Sequence, residues 1–105
     1  MGAALGASLA MDRQPVIVTV GDGSYMFNTP LAAHHVAAAQ SIPLLTIIYN
    51  NCAWNAVRRS THGMYPNGHS KAAAKEPLTD FAVDFDYARM MDVAGGHGER
   101  VDRGD

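Results

Sequence analysis

Two apolar runs constrain this chain more than anything else in it. PVIVTV at residues 15–20 and PLLTIIYNN at residues 43–51 are each opened by proline and are rich in β-branched residues. Neither alternates strictly between polar and apolar. A nearly continuous apolar run suits a strand covered on both faces, as in a parallel sheet. Between them lies PLAAHHVAAAQ, residues 30–40, rich in alanine and free of glycine. Asn28 or Thr29 can cap that stretch, and Pro30 fits the first helical position, where its missing N–H is not needed. Ser41, Ile42 and Pro43 stop it. Strand, helix and strand in succession make a βαβ unit with a right-handed crossover.

The flanks are less regular. Residues 2–10, GAALGASLA, place Leu5 and Leu9 four apart on one helical face. Their small residues suit a helix lying close against a sheet, although glycine weakens it when free, by roughly 1 kcal/mol each relative to alanine. Residues 52–60 read as a loop entering a short helix. Residues 61–79, punctuated by Gly63, Pro66, Asn67, Gly68 and Pro77, read as a long irregular connection. Residues 80–94 regain helical spacing through Phe81, Phe85, Ala88, Met91 and Val93, and Gly95 and Gly96 end that helix. Gly98, Glu99, Arg100 and Val101 are expected to start a last edge strand.

With 105 residues, the chain is one domain at most. Its hydrophobic fraction of 48% supports a packed core. A net charge of −2 and only 8 lysines and arginines give no basic patch for nucleic acid. The single cysteine, Cys52, rules out an internal disulfide framework or a multi-cysteine zinc module and fits a reducing compartment. The apolar start of the chain meets Asp12 and Arg13 too early for a membrane span, so a soluble cytoplasmic protein is the expectation.

The chemistry is expected at the strand ends. The first run stops at Gly21-Asp22-Gly23-Ser24 and the second at Asn50-Asn51. Either motif alone is explained by a turn or a strand terminator. In an open parallel sheet, however, ligands bind beyond the carboxyl ends of the strands, so both motifs share one edge and can converge. Glycines at 21 and 23 would let the backbone turn sharply and approach a ligand. Asp22 offers a hard carboxylate oxygen and Asn51 an amide oxygen. Mg²⁺ is commonly held by a few protein oxygens together with those of a phosphate-bearing ligand. Ser24 adds a hydroxyl and exposed backbone N–H groups for phosphate.

This pairing resembles the thiamine-diphosphate-binding signature, a GDG followed at a comparable interval by NN. The surroundings agree: the apolar strand before GDG, the helix between, and the strand into NN. MGAALGASLA is similar to the helix preceding this unit in the acetolactate synthase and benzoylformate decarboxylase group. WNAVRRSTHGMYPNG and GGHGERV resemble acetolactate-synthase-like members of it. The resemblance covers nearly the whole chain. It implies a three-layer α/β/α fold with a mainly parallel sheet, here incomplete, and one domain over residues 1–105 that is a fragment of a larger enzyme's C-terminal thiamine-diphosphate-binding domain.

By the same resemblance, Asp22, the Asn51 side chain and the Ala53 carbonyl are Mg²⁺ ligands. Gly21, Asp22, Gly23, Ser24, Asn51, Ala53 and Trp54 form the cofactor site, with Gly23 and Ser24 at the diphosphate and Trp54 lining the pocket. Asn50 shapes the turn. The implied role is to hold Mg²⁺ and thiamine diphosphate within an acetolactate-synthase-like lyase or synthase acting on 2-oxo acids. No catalytic residue is expected in this chain, because the glutamate that activates the cofactor belongs to a separate pyrimidine-binding domain. Pairing with such a domain, or homo-oligomerisation, is implied. The alternative is a non-catalytic module that binds phosphate ligands or pairs with subunits of a relative.

The remaining polar residues carry less. His34 and His35 are neighbours on a helix, about 100° apart, and cannot both face one metal. His62, His69 and His97 lie in glycine-flanked stretches that read as surface loops, although His62 or His69 could belong to a loop that covers substrate. Cys52 reads as a small buried thiol rather than a nucleophile, since the sequence places no base beside it. Arg58 and Arg59 could meet an acidic substrate, or form a solvated pair or a subunit contact.

Overall fold

The computed structural model describes residues 1–76 and 78–104. Pro77, expected to punctuate the connection over residues 61–79, lies outside the described residues. The elements run α1 (Gly2–Ala10), β1 (Val16–Gly21), α2 (Asp22–Phe27), α3 (Pro30–Ala39), β2 (Leu44–Tyr49), α4 (Asn55–Met64), α5 (His69–Ala72) and α6 (Met90–Ala94). The architecture is α/β. Strands β1 and β2 form a two-stranded parallel sheet in which Val16 pairs with Leu44 and Gly21 with Tyr49. The register therefore brings the two strand ends level, with Asp22 and Asn50 next beyond them.

Pro30 stands at the first turn of α3, after Thr29 in the left-handed region, and no side chain caps that end. The core is small: Leu5 of α1, Ala37 of α3 and Ile42, with Ala33 and Leu44 packed against it. Ser8 of α1 is fully buried and its hydroxyl donates to the Gln14 carbonyl at 2.8 Å, which satisfies it and closes the turn into β1. Leu9, expected to share the buried face with Leu5, is exposed instead. Ala4, Leu5 and Ser8 supply that face, and the small Ala4 and Ser8 beside Leu5 let the helix lie close.

Four expectations are corrected. Both strands alternate between half-buried and exposed residues, so the sheet is covered on one face. Ile17, at 64% exposure, and Leu45, at 56%, lie on the open face. The helix expected over 80–94 shrinks to α6, which Gly95 terminates at φ +78. The aspartates explain this. Asp80 accepts the Glu76 N–H at 3.2 Å, Asp84 bonds Asn50, and Asp86 accepts the Arg89 N–H at 3.2 Å. Such side chains offer the backbone partners outside a helix ladder. The irregular stretch expected over 61–79 contains the end of α4 and all of α5. The edge strand expected from Gly98 does not form; residues 98–101 have no regular structure.

Sequence reasoning also missed a clasp. Residues 52–54 pair with 79–81: the Trp54 N–H donates to the Thr79 carbonyl and the Phe81 N–H to the Cys52 carbonyl, both at 2.9 Å, and Ala53 and Asp80 form an antiparallel bridge. An ion-pair knot backs it. Arg58 pairs with Glu76 and Asp80, and His62 with Glu76, which also accepts the Ser70 hydroxyl at 3.0 Å. Arg58 and His62 are thus held within the fold and are not free to meet a substrate. Hydrogen bonds from His62 and Ser70 hold the Glu76 carboxyl below its ordinary range against the opposing effect of burial.

Candidate functional site

β1 runs directly into α2, with Asp22 as the first helical residue and Gly21 as its cap. Gly21 has φ −75, so the backbone there does not require glycine, and α2 begins without the sharp turn expected at residues 21–23. The need for glycine at 23 is steric: a Cβ there would overlap the Trp54 indole. Trp54 lies on the peptide of Gly23, its Nε1 donating to the Gly23 carbonyl at 3.4 Å. Phe27 and Phe81 flank the indole at centroid distances of 5.4 and 4.9 Å.

Asp22 is only 2% exposed. Its Oδ1 accepts its neighbour's N–H, from Gly23, at 2.9 Å. Its Oδ2 accepts the Ala53 N–H at 3.3 Å. The same N–H reaches Asn51 Oδ1 at 3.1 Å. The oxygens of Asp22 and Asn51 therefore converge on one atom, from the ends of different strands. The Asn50 side chain accepts the Cys52 N–H at 3.0 Å, closing the turn, and Cys52 takes a left-handed φ of +55. Ala53 is buried, while Asn51 and Ser24 are exposed.

The electrostatics single out Asp22. Among the described residues no lysine, arginine or histidine pairs with its carboxylate. A buried carboxylate without a cation is expensive unless one is supplied. Among the described residues no three His, Cys, Asp or Glu side chains gather to hold a metal. One carboxylate joined by neutral oxygens suits a small hard cation that takes its remaining ligands from a phosphate and water.

Behind Asp22 sits an aromatic layer. Tyr25, 1% exposed, shares a 2.8 Å hydrogen bond with His34 Nε2 and meets Tyr87 edge-on at 5.6 Å. Burial raises the Tyr25 phenol and lowers the His34 imidazole. Tyr87 is pushed up to about 12, by burial first and then by the carboxylate of Asp22. His34 is thus occupied in the core, and His35 is exposed. Cys52 is half-buried; burial and the nearby carboxylates of Asp84 and Asp22 raise its thiol, which disfavours the nucleophilic thiolate. A cavity of about 700 Å³ opens beside β2 and is lined by Tyr25, Asn50, Tyr87 and Arg100 among others. Asp22, Asn51 and Ala53 do not line it, so the uncompensated carboxylate, rather than the cavity, locates the site.

The family model for the thiamine pyrophosphate enzyme C-terminal TPP-binding domain matches residues 1–105. The chain belongs to this family. As a TPP-binding domain it takes thiamine diphosphate as its small-molecule cofactor. No helix among the described residues is long and apolar enough to cross a membrane. In this TPP-binding domain the structure brings Asp22, Gly23, Asn51, Ala53 and Trp54 together and leaves Gly21 and Ser24 exposed at the start of α2. Sequence reasoning missed Tyr87 and Asp84, which approach the site from a stretch it had assigned to a helix.

Proposed function

We propose that this TPP-binding domain anchors the diphosphate of thiamine diphosphate through Mg²⁺, within an acetolactate-synthase-like lyase or synthase acting on 2-oxo acids. The buried, cation-free carboxylate of Asp22 carries the reading. Asp22 supplies charge, Asn51 Oδ1 and the Ala53 carbonyl supply neutral oxygens, and Gly21, Gly23 and Ser24 border the diphosphate. Trp54 fixes the peptide of Gly23 and keeps water from one side. When bound, the cofactor supplies the carbon centre at which a 2-oxo acid reacts. The chain's own residues bind and orient its diphosphate end; no residue here is assigned a proton transfer. The domain works beside a pyrimidine-binding domain of the same or another subunit, in a reducing, cytoplasmic setting.

Titrating the chain with thiamine diphosphate, with Mg²⁺ or with a chelator, tests the anchoring by calorimetry and Trp54 fluorescence. Mg²⁺-dependent binding is expected. Equal affinity in chelator would remove the metal from the site. Turnover of pyruvate by the assembled enzyme tests the 2-oxo acid assignment, and its absence across 2-oxo acids would point to the non-catalytic phosphate-binding or subunit-pairing role.

A further inference from the structure

The turn that presents Asn51 and Ala53 is held from outside itself. Asn50 has one amide oxygen and one amide nitrogen, and the two ends do different work. Oδ1 accepts the Cys52 N–H at 3.0 Å. Nδ2 donates to Asp84 Oδ1 at 3.0 Å, across 34 residues of chain. The other carboxylate oxygen, Asp84 Oδ2, accepts from Arg100 Nη1 at 2.8 Å, and Arg100 Nε donates to Asp102 at 2.9 Å. A carboxylate only accepts, so it demands the nitrogen end of the Asn50 amide and leaves the oxygen end for Cys52. With the amide turned the other way, nitrogen would face the Cys52 N–H and the turn would lose its tie. Cys52 sits in the left-handed region, which a non-glycine residue occupies at a cost. Such a conformation persists where surrounding bonds over-determine it.

We infer that Asp84 is a positioning residue for the site: by fixing the orientation of the Asn50 amide it holds the turn at residues 50–53 so that Asn51 Oδ1 and Ala53 stay directed at Asp22. The inference rests on the function proposed above for Asp22, Asn51 and Ala53. Among the described residues the side-chain partners of Asp84 are Asn50, Arg100 and the Cys52 thiol, and it contacts none of the three candidate ligand groups. Arg100 orients Asp84 in turn, which links residues at the far end of the chain to the turn after β2.

Asp84→Ala and Asp84→Asn separate this role from a general one. Asp84→Asn keeps one acceptor oxygen for the two donors, Asn50 Nδ2 and Arg100 Nη1, that the carboxylate serves; Asp84→Ala keeps none. Amide hydrogen exchange on the metal-free chain reads the turn directly. In Asp84→Ala the Cys52 N–H is expected to exchange about tenfold faster while Ile47 and Ile48 in β2 are unchanged, and Asp84→Asn should fall between Asp84→Ala and the wild type. The Mg²⁺ affinity of the chain with thiamine diphosphate present should fall about tenfold in Asp84→Ala and by less in Asp84→Asn. Unchanged Cys52 exchange in Asp84→Ala overturns the inference, as does faster exchange with undiminished Mg²⁺ affinity. If the wild-type chain binds thiamine diphosphate independently of Mg²⁺, the proposed metal site fails instead, and the exchange data alone decide whether Asp84 holds the turn.

Discussion

The Ala53 N–H donates to the buried carboxylate of Asp22 across 31 residues of chain. This bond is the meeting point of the two strand-end motifs. It exists because β1 and β2 run parallel with Gly21 level with Tyr49, so that each motif begins at the same height. The carboxylate gains two backbone donors there but, among the described residues, no positive side chain.

Asp22→Asn should therefore separate folding from binding. The amide removes a buried negative charge but keeps only one acceptor oxygen for the two backbone N–H groups, and these opposing effects should leave the metal-free variant melting near the wild-type temperature. Its Mg²⁺-dependent affinity for thiamine diphosphate should fall by about a hundredfold, as expected for loss of the site's charged ligand. Differential scanning fluorimetry with calorimetry checks both. Wild-type affinity in the variant would withdraw Asp22 from the metal site.

Gly23→Ala should be destabilising without removing any candidate metal ligand. Its Cβ would overlap the Trp54 indole, and overpacking of this kind costs about 1–3 kcal/mol. Urea denaturation followed by far-ultraviolet circular dichroism, a readout that does not need Trp54, measures it. Combining Gly23→Ala with Trp54→Ala should cost less than the sum of the two changes, because the smaller side chain removes the clash. Strict additivity would show that the indole is not what restricts this position.

At Cys52 the backbone, not the thiol, should decide tolerance. Cys52→Ser keeps size and φ preference and should bind cofactor like the wild type. Cys52→Gly should be tolerated, since glycine adopts φ +55 freely. Cys52→Val should lose about 1–2 kcal/mol of stability from a β-branched residue forced into the left-handed region. A large loss of affinity in a folded Cys52→Ser protein would assign the thiol a role of its own.

The Tyr25 and His34 pair predicts a pH dependence. Burial depresses the His34 imidazole below its ordinary 6.5, so between that value and the folded one the unfolded chain holds more protons. The contribution is fully present above the unfolded value and is lost as pH falls through this window. Stability should decline on acidification from neutral, and His34→Gln should flatten the decline. Tyr25→Phe should cost about 1–3 kcal/mol at neutral pH by leaving His34 Nε2 buried without its partner. Denaturation curves at several pH values test both, and an identical slope in His34→Gln would exclude His34 as the source.

The βαβ frame was legible because its signals are local. Pro15 and Pro43 precede the strands, the β-branched runs set their length, and Pro30 and Gln40 bracket α3. The convergence of Asp22 and Asn51 followed from parallel pairing alone. Residues 80–89 were misread because Phe81, Phe85 and Ala88 have helical spacing, whereas the competing bonds of Asp84 to Asn50 and of Asp80 to Arg58 depend on partners distant in sequence. Gly23 was legible as a necessary glycine, but for the wrong reason. A backbone turn leaves a trace in the local sequence; the bulk of Trp54, arriving from beyond β2, does not. Asp84 was invisible for the same reason, since only the folded chain sets it against Asn50.

The clasp between residues 52–54 and 79–81 closes a loop that carries α4 and α5. A loop fixed at its base transmits little of what happens at its tip, and lengthening a flexible loop costs only slowly more with each added residue. The turn beside Asp22 is thus insulated from the segment around Pro66 and Gly68, which is exposed or nearly so. That makes residues 66–68 a port in the molecule, where a peptide tag or reporter can be spliced into the chain without retuning the site.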